Sequence, residues 1–196
     1  MVQTFSAHAI APAAVLRGEG AWAESLPRIQ ALCSGPMVLG RSRSTSKLRH
    51  KLSADLNAAG LNPTSEQLQF DCCDHDLERL SLEAQGSDAV IAAGGGKVLD
   101  AGKLLAYRLS IPCITVPLSA STCAGWTALS NIYSPEGAFE SDVALNRCPD
   151  LLVFDHALVR QAPSRTLASG VADALAKWYE ASVSSADSGD GLVQQA

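Results

Sequence analysis

The residues in this 196-residue chain best able to do chemistry are three glycines and a lysine, Gly94-Gly95-Gly96-Lys97. They stand between a short apolar run and a helical pattern. Glycines let backbone N–H groups approach a phosphate closely, because no Cβ intervenes. A helix starting just after them adds its partial positive charge to the same place. Lys97 falls in the first turn and can pair with a pyrophosphate oxygen. Asp100, one turn on, can accept a hydrogen bond from a hydroxyl. The same residues also read as a turn that joins a strand to a helix for packing. Three consecutive glycines lose much backbone entropy on folding, and a packing turn seldom needs all three. A nucleotide-phosphate site is therefore the expectation. The run matches neither Gly-x-Gly-x-x-Gly nor Gly-x-x-x-x-Gly-Lys-Ser/Thr, so neither standard fingerprint carries it.

The elements that must position this loop follow from periodicity. Residues 89–93 are wholly apolar, as a strand buried on both faces should be. Val98, Leu99, Ala101, Leu104 and Leu105 then give the loop its helix. Upstream, residues 22–32 read as a helix, 36–40 as a short strand, and 44–59 as an amphipathic helix with Leu48, Leu52, Leu56 and Ala59 on one face. Residues 66–70 alternate as a strand, and 74–85 read as a helix with Asp74 as its N-cap. Downstream, residues 111–117, 129–133 and 151–154 are further strands. This alternation predicts a parallel sheet with helices on both faces. From Pro163, a reasonable first helical residue, only helix follows, with Leu167, Val171, Leu175 and Trp178 as an apolar stripe. The predicted division is an α/β domain over residues 1–162 and the opening of a helical domain over 163–196. The polar stretch 184–191 reads as a mobile end, and residues 1–12 as an edge strand.

Composition narrows the class. Hydrophobic residues make up 47% and charged residues 18%, which is globular and not disordered. The net charge of −5 argues against nucleic acid as the main partner, since there is no basic excess to neutralise phosphates. Six scattered cysteines without a Cys-x-x-Cys spacing suit a reducing cytoplasm better than a disulfide framework, and Cys113 reads as a buried free thiol. No apolar run reaches membrane-spanning length, and no leader is legible. A soluble cytoplasmic protein is expected.

Two further blocks join the glycine run. One is Val116-Pro-Leu-Ser-Ala-Ser-Thr-Cys-Ala-Gly-Trp-Thr-Ala-Leu-Ser-Asn-Ile-Tyr133. The other runs from Pro149-Asp-Leu-Leu-Val-Phe-Asp155 through Ala162-Pro163 to Gly170-Val-Ala-Asp-Ala-Leu-Ala-Lys-Trp-Tyr-Glu-Ala181. In this order the three blocks resemble the iron-containing alcohol dehydrogenase superfamily, in its glycerol dehydrogenase and hydroxycarboxylate dehydrogenase branch. The resemblance covers most of residues 18–181. It implies a Rossmann-like parallel-sheet N-terminal domain that binds NAD or NADP, then an all-helical C-terminal domain supplying most of a catalytic divalent-metal site. The active site lies between them. The implied chemistry is hydride transfer between the nicotinamide and a small hydroxy compound. The metal, zinc in the glycerol dehydrogenase branch, polarises the substrate oxygen. Relatives often assemble, so a homo-oligomer is also implied.

Residue by residue, the resemblance places Gly94, Gly95, Gly96 and Lys97 in the pyrophosphate loop and Asp100 as the acidic residue of its helix. It places Ser121, Thr127, Leu129 and Tyr133 along the cofactor, and Asp173 as a metal ligand. Leu118 stands where that branch often has a threonine, so a polar cofactor contact is lost. Cys123 takes the place of the aspartate that holds a polyol. A thiol is a poor partner for two hydroxyls, and residues 122–126 look instead like the relatives that reduce 2-oxo acids. Arg41 and Arg43 follow Gly40 where NAD-preferring relatives often carry an acid, which favours a 2′-phosphate and makes NADP an expectation beside NAD. His8, His50, His75 and His156 match neither metal-binding histidine of the family, so Asp173 is one ligand of three.

Plainer readings stand beside these. Asp173, Lys177 and Glu180 share a helix face, as an exposed charged stripe would. Arg41, Arg43, Lys47, Arg49 and Lys51 read equally as a solvated face. Cys123 reads as a small pocket-lining residue, Trp126 as a packing aromatic, and His156 as structural or exposed. Two rival functions remain: a non-catalytic nucleotide-binding module, and a lyase resembling 3-dehydroquinate synthase, whose related fold also carries a glycine triplet.

Overall fold

The computed structural model describes residues 9–41 and 43–184. In chain order the strands are β1 (Val15–Gly18), β2 (Met37–Gly40), β3 (Thr64–Gln67), β4 (Val90–Gly94), β5 (Cys113–Pro117), β6 (Leu129–Tyr133), β7 (Phe139–Ala144) and β8 (Leu151–Asp155). The α-helices are α1 (Ala21–Leu32), α2 (Ser46–Ala58), α3 (Asp74–Glu83), α4 (Gly96–Leu109), α5 (His156–Val159) and α6 (Ser164–Ser184). Six strands form one sheet in the order β1-β8-β5-β4-β2-β3, and every pairing is parallel.

Burial on both faces explains the apolar strands. Along β2, β4 and β5 every residue is buried. Met37, Leu39, Val90 and Ala92 point into one cluster with Leu77 and Leu80 of α3 and Leu104 and Leu105 of α4. Val38, Ile91, Ile114 and Val116 point the other way, onto Trp22 and Ile29 of α1 and Leu52 and Leu56 of α2. Each fully buried leucine, isoleucine or valine contributes about 1.5–3 kcal/mol.

The strand order sets where a ligand can sit. From β2 the chain moves outward to β3, then returns past β2 to β4 and on to β5. The connection after β2 enters α2 on one face, and the connection after β4 enters α4 on the other. A crevice therefore opens between the carboxyl ends of β2 and β4, the topological switch point of such sheets.

Gly102 shows how closely α4 lies on the sheet, because an added Cβ would overlap Ala92 Cβ on β4. Alanine in place of a mid-helix glycine ordinarily stabilises by about 1 kcal/mol. Here Gly102→Ala is expected to reverse sign and destabilise by about 1–3 kcal/mol through overpacking, measured as a lower urea midpoint with unchanged slope.

Several expectations are corrected. The strand expected at 66–70 is Thr64–Gln67, starting two residues earlier and ending three earlier. The Asp76 carboxylate accepts the N–H groups of Gln69 and Phe70 at 2.7 and 3.2 Å and so bends the chain out of the ladder. Asp74 is the first residue of α3 and not its N-cap, which is Cys73, and its side chain pairs with Arg108. Pro163 lies just before α6, its carbonyl accepting from Thr166 N–H at 2.9 Å. Leu129–Tyr133 is a strand, yet it lies outside the parallel sheet, in an antiparallel hairpin with β7. The first strand, at one sheet edge, is β1, and residues 9–12 are not in a strand, while residues 1–8 fall outside the described residues, as does most of the expected mobile end at 184–191. Arg49 is no part of a solvated face. It is buried, its guanidinium donates to Thr45 Oγ1 at 2.7 Å, and its stem fills the space that a Cβ on Gly40 would need. Burial lowers its pKa from the usual guanidinium value.

All six cysteines are free and only Cys123 is exposed. Burial pushes the Cys33, Cys72 and Cys113 thiols up to about 12, so they stay protonated. Among the described residues, no helix is long and apolar enough to cross a membrane.

Candidate active-site cleft

Two hollows flank the glycine loop. A hollow of about 220 Å³ is lined by Arg41, Thr45, Gly94, Gly95, Gly96, Lys97 and Val98, and it lies at the switch point. A larger cleft of about 400 Å³ continues from Gly96 and Lys97 to Cys123, Thr127, Leu129, Tyr133 and Asp173. Lys97 lines both, so a ligand with two lobes joined at a phosphate bridge could lie across it.

The loop is built for close approach. Gly95 is extended at the N-cap of α4, and no side chain caps that helix. A Cβ on Gly96 would lie 3.2 Å from Thr122 Oγ1, and one on Gly94 would lie 2.7 Å from Val98 Cβ. Glycine at both positions lets Val98 and Thr122 pack against the loop, and the uncapped start of α4 lines the smaller hollow. Lys97 Nζ sits 4.4 Å from the centroid of the Tyr133 ring, a cation–π contact that fixes its direction. These residues fit a dinucleotide diphosphate.

Asp100 lines the cleft, but its carboxylate is held by the protein. Lys103 Nζ donates to it at 3.1 Å, and both residues are buried. Burial raises the Asp100 pKa above the ordinary carboxylate range, against the lowering effect of Lys103 and of the Asn131 N–H. Lys103 also donates to the Thr127 carbonyl at 3.1 Å and to the Leu129 carbonyl. This buried pair therefore ties the start of β6 to α4.

Leu129, Asn131 and Tyr133 alternate along β6 and line the cleft together with Thr127, two residues before the strand. Sequence reasoning named three of the four and missed Asn131, although the period of two along a strand points to it. Leu118 is not a cleft residue; its side chain is buried in the α1/α2 core. Ser121 sits beside the cleft, 3.2 Å from Ser119 Oγ, under the backbone of α6. Arg41 reaches the glycine-loop hollow and Arg43 does not line it. Exposed Cys123 stands on the far wall.

Asp173 reaches the cleft from α6, and Lys177 comes with it. Lys177 is 3.6 Å from Asp173 and 2.7 Å from Glu180. Its hydrogen bond to Glu180, then the Asp173 charge, holds the ammonium above its usual range. The exposed charged stripe is thus real, and it also forms one wall of the cleft. Among the described residues, no three His, Cys, Asp or Glu side chains group to hold a metal ion. Asp173 by itself does not make a metal site.

The residue that sequence reasoning missed altogether is Asp71. Its carboxylate, almost fully buried, pairs with both Arg41 and Lys97. Burial acts to raise its pKa, and the hydrogen bonds and charges of the two cations outweigh that and hold it below the usual carboxylate range.

The fold and cleft define an open, doubly wound α/β protein with a glycine loop at its switch point. The family model for iron-containing alcohol dehydrogenases matches residues 12–156, and the chain belongs to that family. It is 43% identical to an uncharacterised oxidoreductase of Synechocystis sp. over 202 residues, covering all of this chain and 52% of that protein. Hydroxycarboxylate dehydrogenase A of Escherichia coli is 39% identical over 114 residues, 57% of this chain and 31% of that one. The crystal structure of a probable glycerol dehydrogenase from Sinorhizobium meliloti superposes with a TM-score of 0.79 at 30% identity, covering 90% of this chain and 48% of that one. The chain spans about half the length of the relative it matches end to end.

Proposed function

We propose that this chain is the cofactor-binding part of an oxidoreductase that moves a hydride between NAD(P) and a small hydroxy compound. The observation that carries the reading is the uncapped N-terminus of α4, with Lys97, opening onto two adjoining hollows. Gly95, Gly96 and Lys97 would hold the diphosphate, and Arg41 would lie beside the adenosine ribose. Thr127, Leu129, Asn131 and Tyr133 would line the nicotinamide side. The bound cofactor supplies or accepts the hydride; the chain's own residues position it and shield it from water.

For the substrate we favour a 2-hydroxy or 2-oxo acid over glycerol. Cys123 on the cleft wall offers a polyol little, and one relative is named a hydroxycarboxylate dehydrogenase. Asp173 would give one ligand to a divalent metal, zinc by the family resemblance, with the remaining ligands supplied from outside the described residues. The exposed Leu167, Val171, Leu175 and Trp178 of α6 support reading residues from 163 onward as the start of a helical domain that further helices would cover.

Titrating the chain with NADH and NADPH and following the nucleotide fluorescence tests the reading. Saturable binding is expected. Lys97→Ala should weaken it about 10- to 100-fold, the loss of one charge-assisted phosphate contact. Equal affinity of the variant, or no binding by the chain, would sink the proposal.

A further inference from the structure

Arg41 and Lys97 are the two cations of the glycine-loop hollow, and both bind the same buried acid. Asp71 Oδ1 takes Arg41, and Oδ2 takes Lys97. The acid cannot swing freely away. Tyr133 N–H donates to the neighbouring Cys72 carbonyl at 2.8 Å, which fixes the loop. The β6–β7 turn also closes over it, since a Cβ on Gly137 would lie 3.1 Å from Asp71 Oδ2. Asp71 comes from the connection between β3 and α3, whereas Arg41 and Lys97 follow β2 and β4. Three connections therefore meet at one carboxylate at the crevice, and one net positive charge is left to face a ligand.

The charges decide what that corner accepts. A guanidinium already paired with a carboxylate gains less from a second anion, because the acid repels the incoming charge at short range. The diphosphate bridge still has the α4 N–H groups and the outer face of Lys97. An extra phosphate on the adenosine ribose would meet Arg41, the arginine that lines this hollow. Resting on the dinucleotide reading above, we propose that Asp71 is a specificity-determining residue that neutralises Arg41 and so selects a dinucleotide lacking the 2′-phosphate.

Arg41, which beside Arg43 in sequence favours NADP, thus carries a built-in counterweight. Asp71→Asn keeps the shape and the hydrogen-bonding oxygen while removing the charge.

The test measures dissociation constants for NADH and NADPH, by calorimetry, on the chain, Asp71→Asn, Arg41→Gln and the double variant. Asp71→Asn is expected to tighten NADPH about tenfold more than NADH, as one released charge-assisted contact would. Adding Arg41→Gln should return the ratio to within about twofold of the starting chain, because the released cation is gone. If the nucleotides bind and Asp71→Asn leaves their ratio unchanged, this inference is overturned while the dinucleotide reading stands. If no protein binds either nucleotide, both fall. Should Asp71→Asn lose its folded circular dichroism signal, Arg41→Gln alone still decides. A drop in NADPH affinity no greater than about twofold, with NADH binding intact, shows that Arg41 is already neutralised by Asp71. A drop of tenfold or more shows an Arg41 that recruits the 2′-phosphate unopposed and overturns the inference.

Discussion

Lys103→Met is expected to lower stability by about 3–5 kcal/mol, the range for breaking a buried ion pair from one side. Lys103 is 2% exposed and its ammonium lies 3.1 Å from the carboxylate of Asp100, a residue 6% exposed. Methionine restores the volume and not the charge, so Asp100 is left in a nearly dry site. The carbonyls of Thr127 and Leu129 lose a donor at the same moment. At about 2–4 °C per kcal/mol for a domain of this size, the thermal midpoint should fall by roughly 10 °C. Lys103→Met with Asp100→Asn should recover much of the loss, because the stranded charge is gone; a cycle of urea melts measures this.

The pH dependence gives a second reading. Burial already raises the Asp100 pKa above its unfolded value, and losing Lys103 removes the largest opposing influence. A carboxyl whose folded pKa is raised binds its proton more readily in the native state. The deficit of Lys103→Met relative to the unaltered chain should therefore shrink as pH falls through the folded pKa of Asp100. A single-variant loss under about 1 kcal/mol, flat with pH, would mean that water solvates the acid and that the pair does not pin the cleft wall.

What the sequence disclosed was local. The apolar run, the glycines and the α4 helix are neighbours in the chain, so periodicity and backbone freedom suffice to find them. β6 was legible as a strand and its partner was not. Its pairing with β7 depends on the turn at 134–137, where Gly137 has φ of 91°, and β7 is largely exposed, with no apolar run to announce it. Register along β6 follows once the strand is known, which is why Asn131 could have been named with Thr127, Leu129 and Tyr133. Asp71 and Arg49 were illegible for another reason. A charge is buried only when distant residues enclose it, and Asp71 meets its two cations 30 and 26 positions away. Nothing near Phe70-Asp71-Cys72 in the chain announces that meeting. The family resemblance named cofactor positions, but it could not show that Leu118 is core or that the Asp100 carboxylate is committed to Lys103.

Gly170→Ala should free α6 from the body of the protein. In an ordinary helix interior this change stabilises by about 1 kcal/mol. Here a Cβ on Gly170 would overlap the Ala120 carbonyl and lie 3.3 Å from Ser121 Cα, backbone atoms that cannot rotate aside. The helix must lift, at about 1–3 kcal/mol for overpacking, or roughly 5- to 150-fold in its opening equilibrium. Asp173 and Lys177 lie three and seven residues beyond Gly170, on the same face, so they leave the cleft with it. Hydrogen exchange should quicken together in residues 164–184 and in the 119–121 loop. Ala174→Gly supplies the contrast, because it weakens the helix by about 1 kcal/mol through propensity at an exposed position. Residues 164–184 should then exchange faster while the 119–121 loop keeps its protection. Slower exchange in Gly170→Ala than in the unaltered chain would mean that propensity outweighs the close approach. The glycine would then be incidental, and Asp173 would owe its place in the cleft to some other contact.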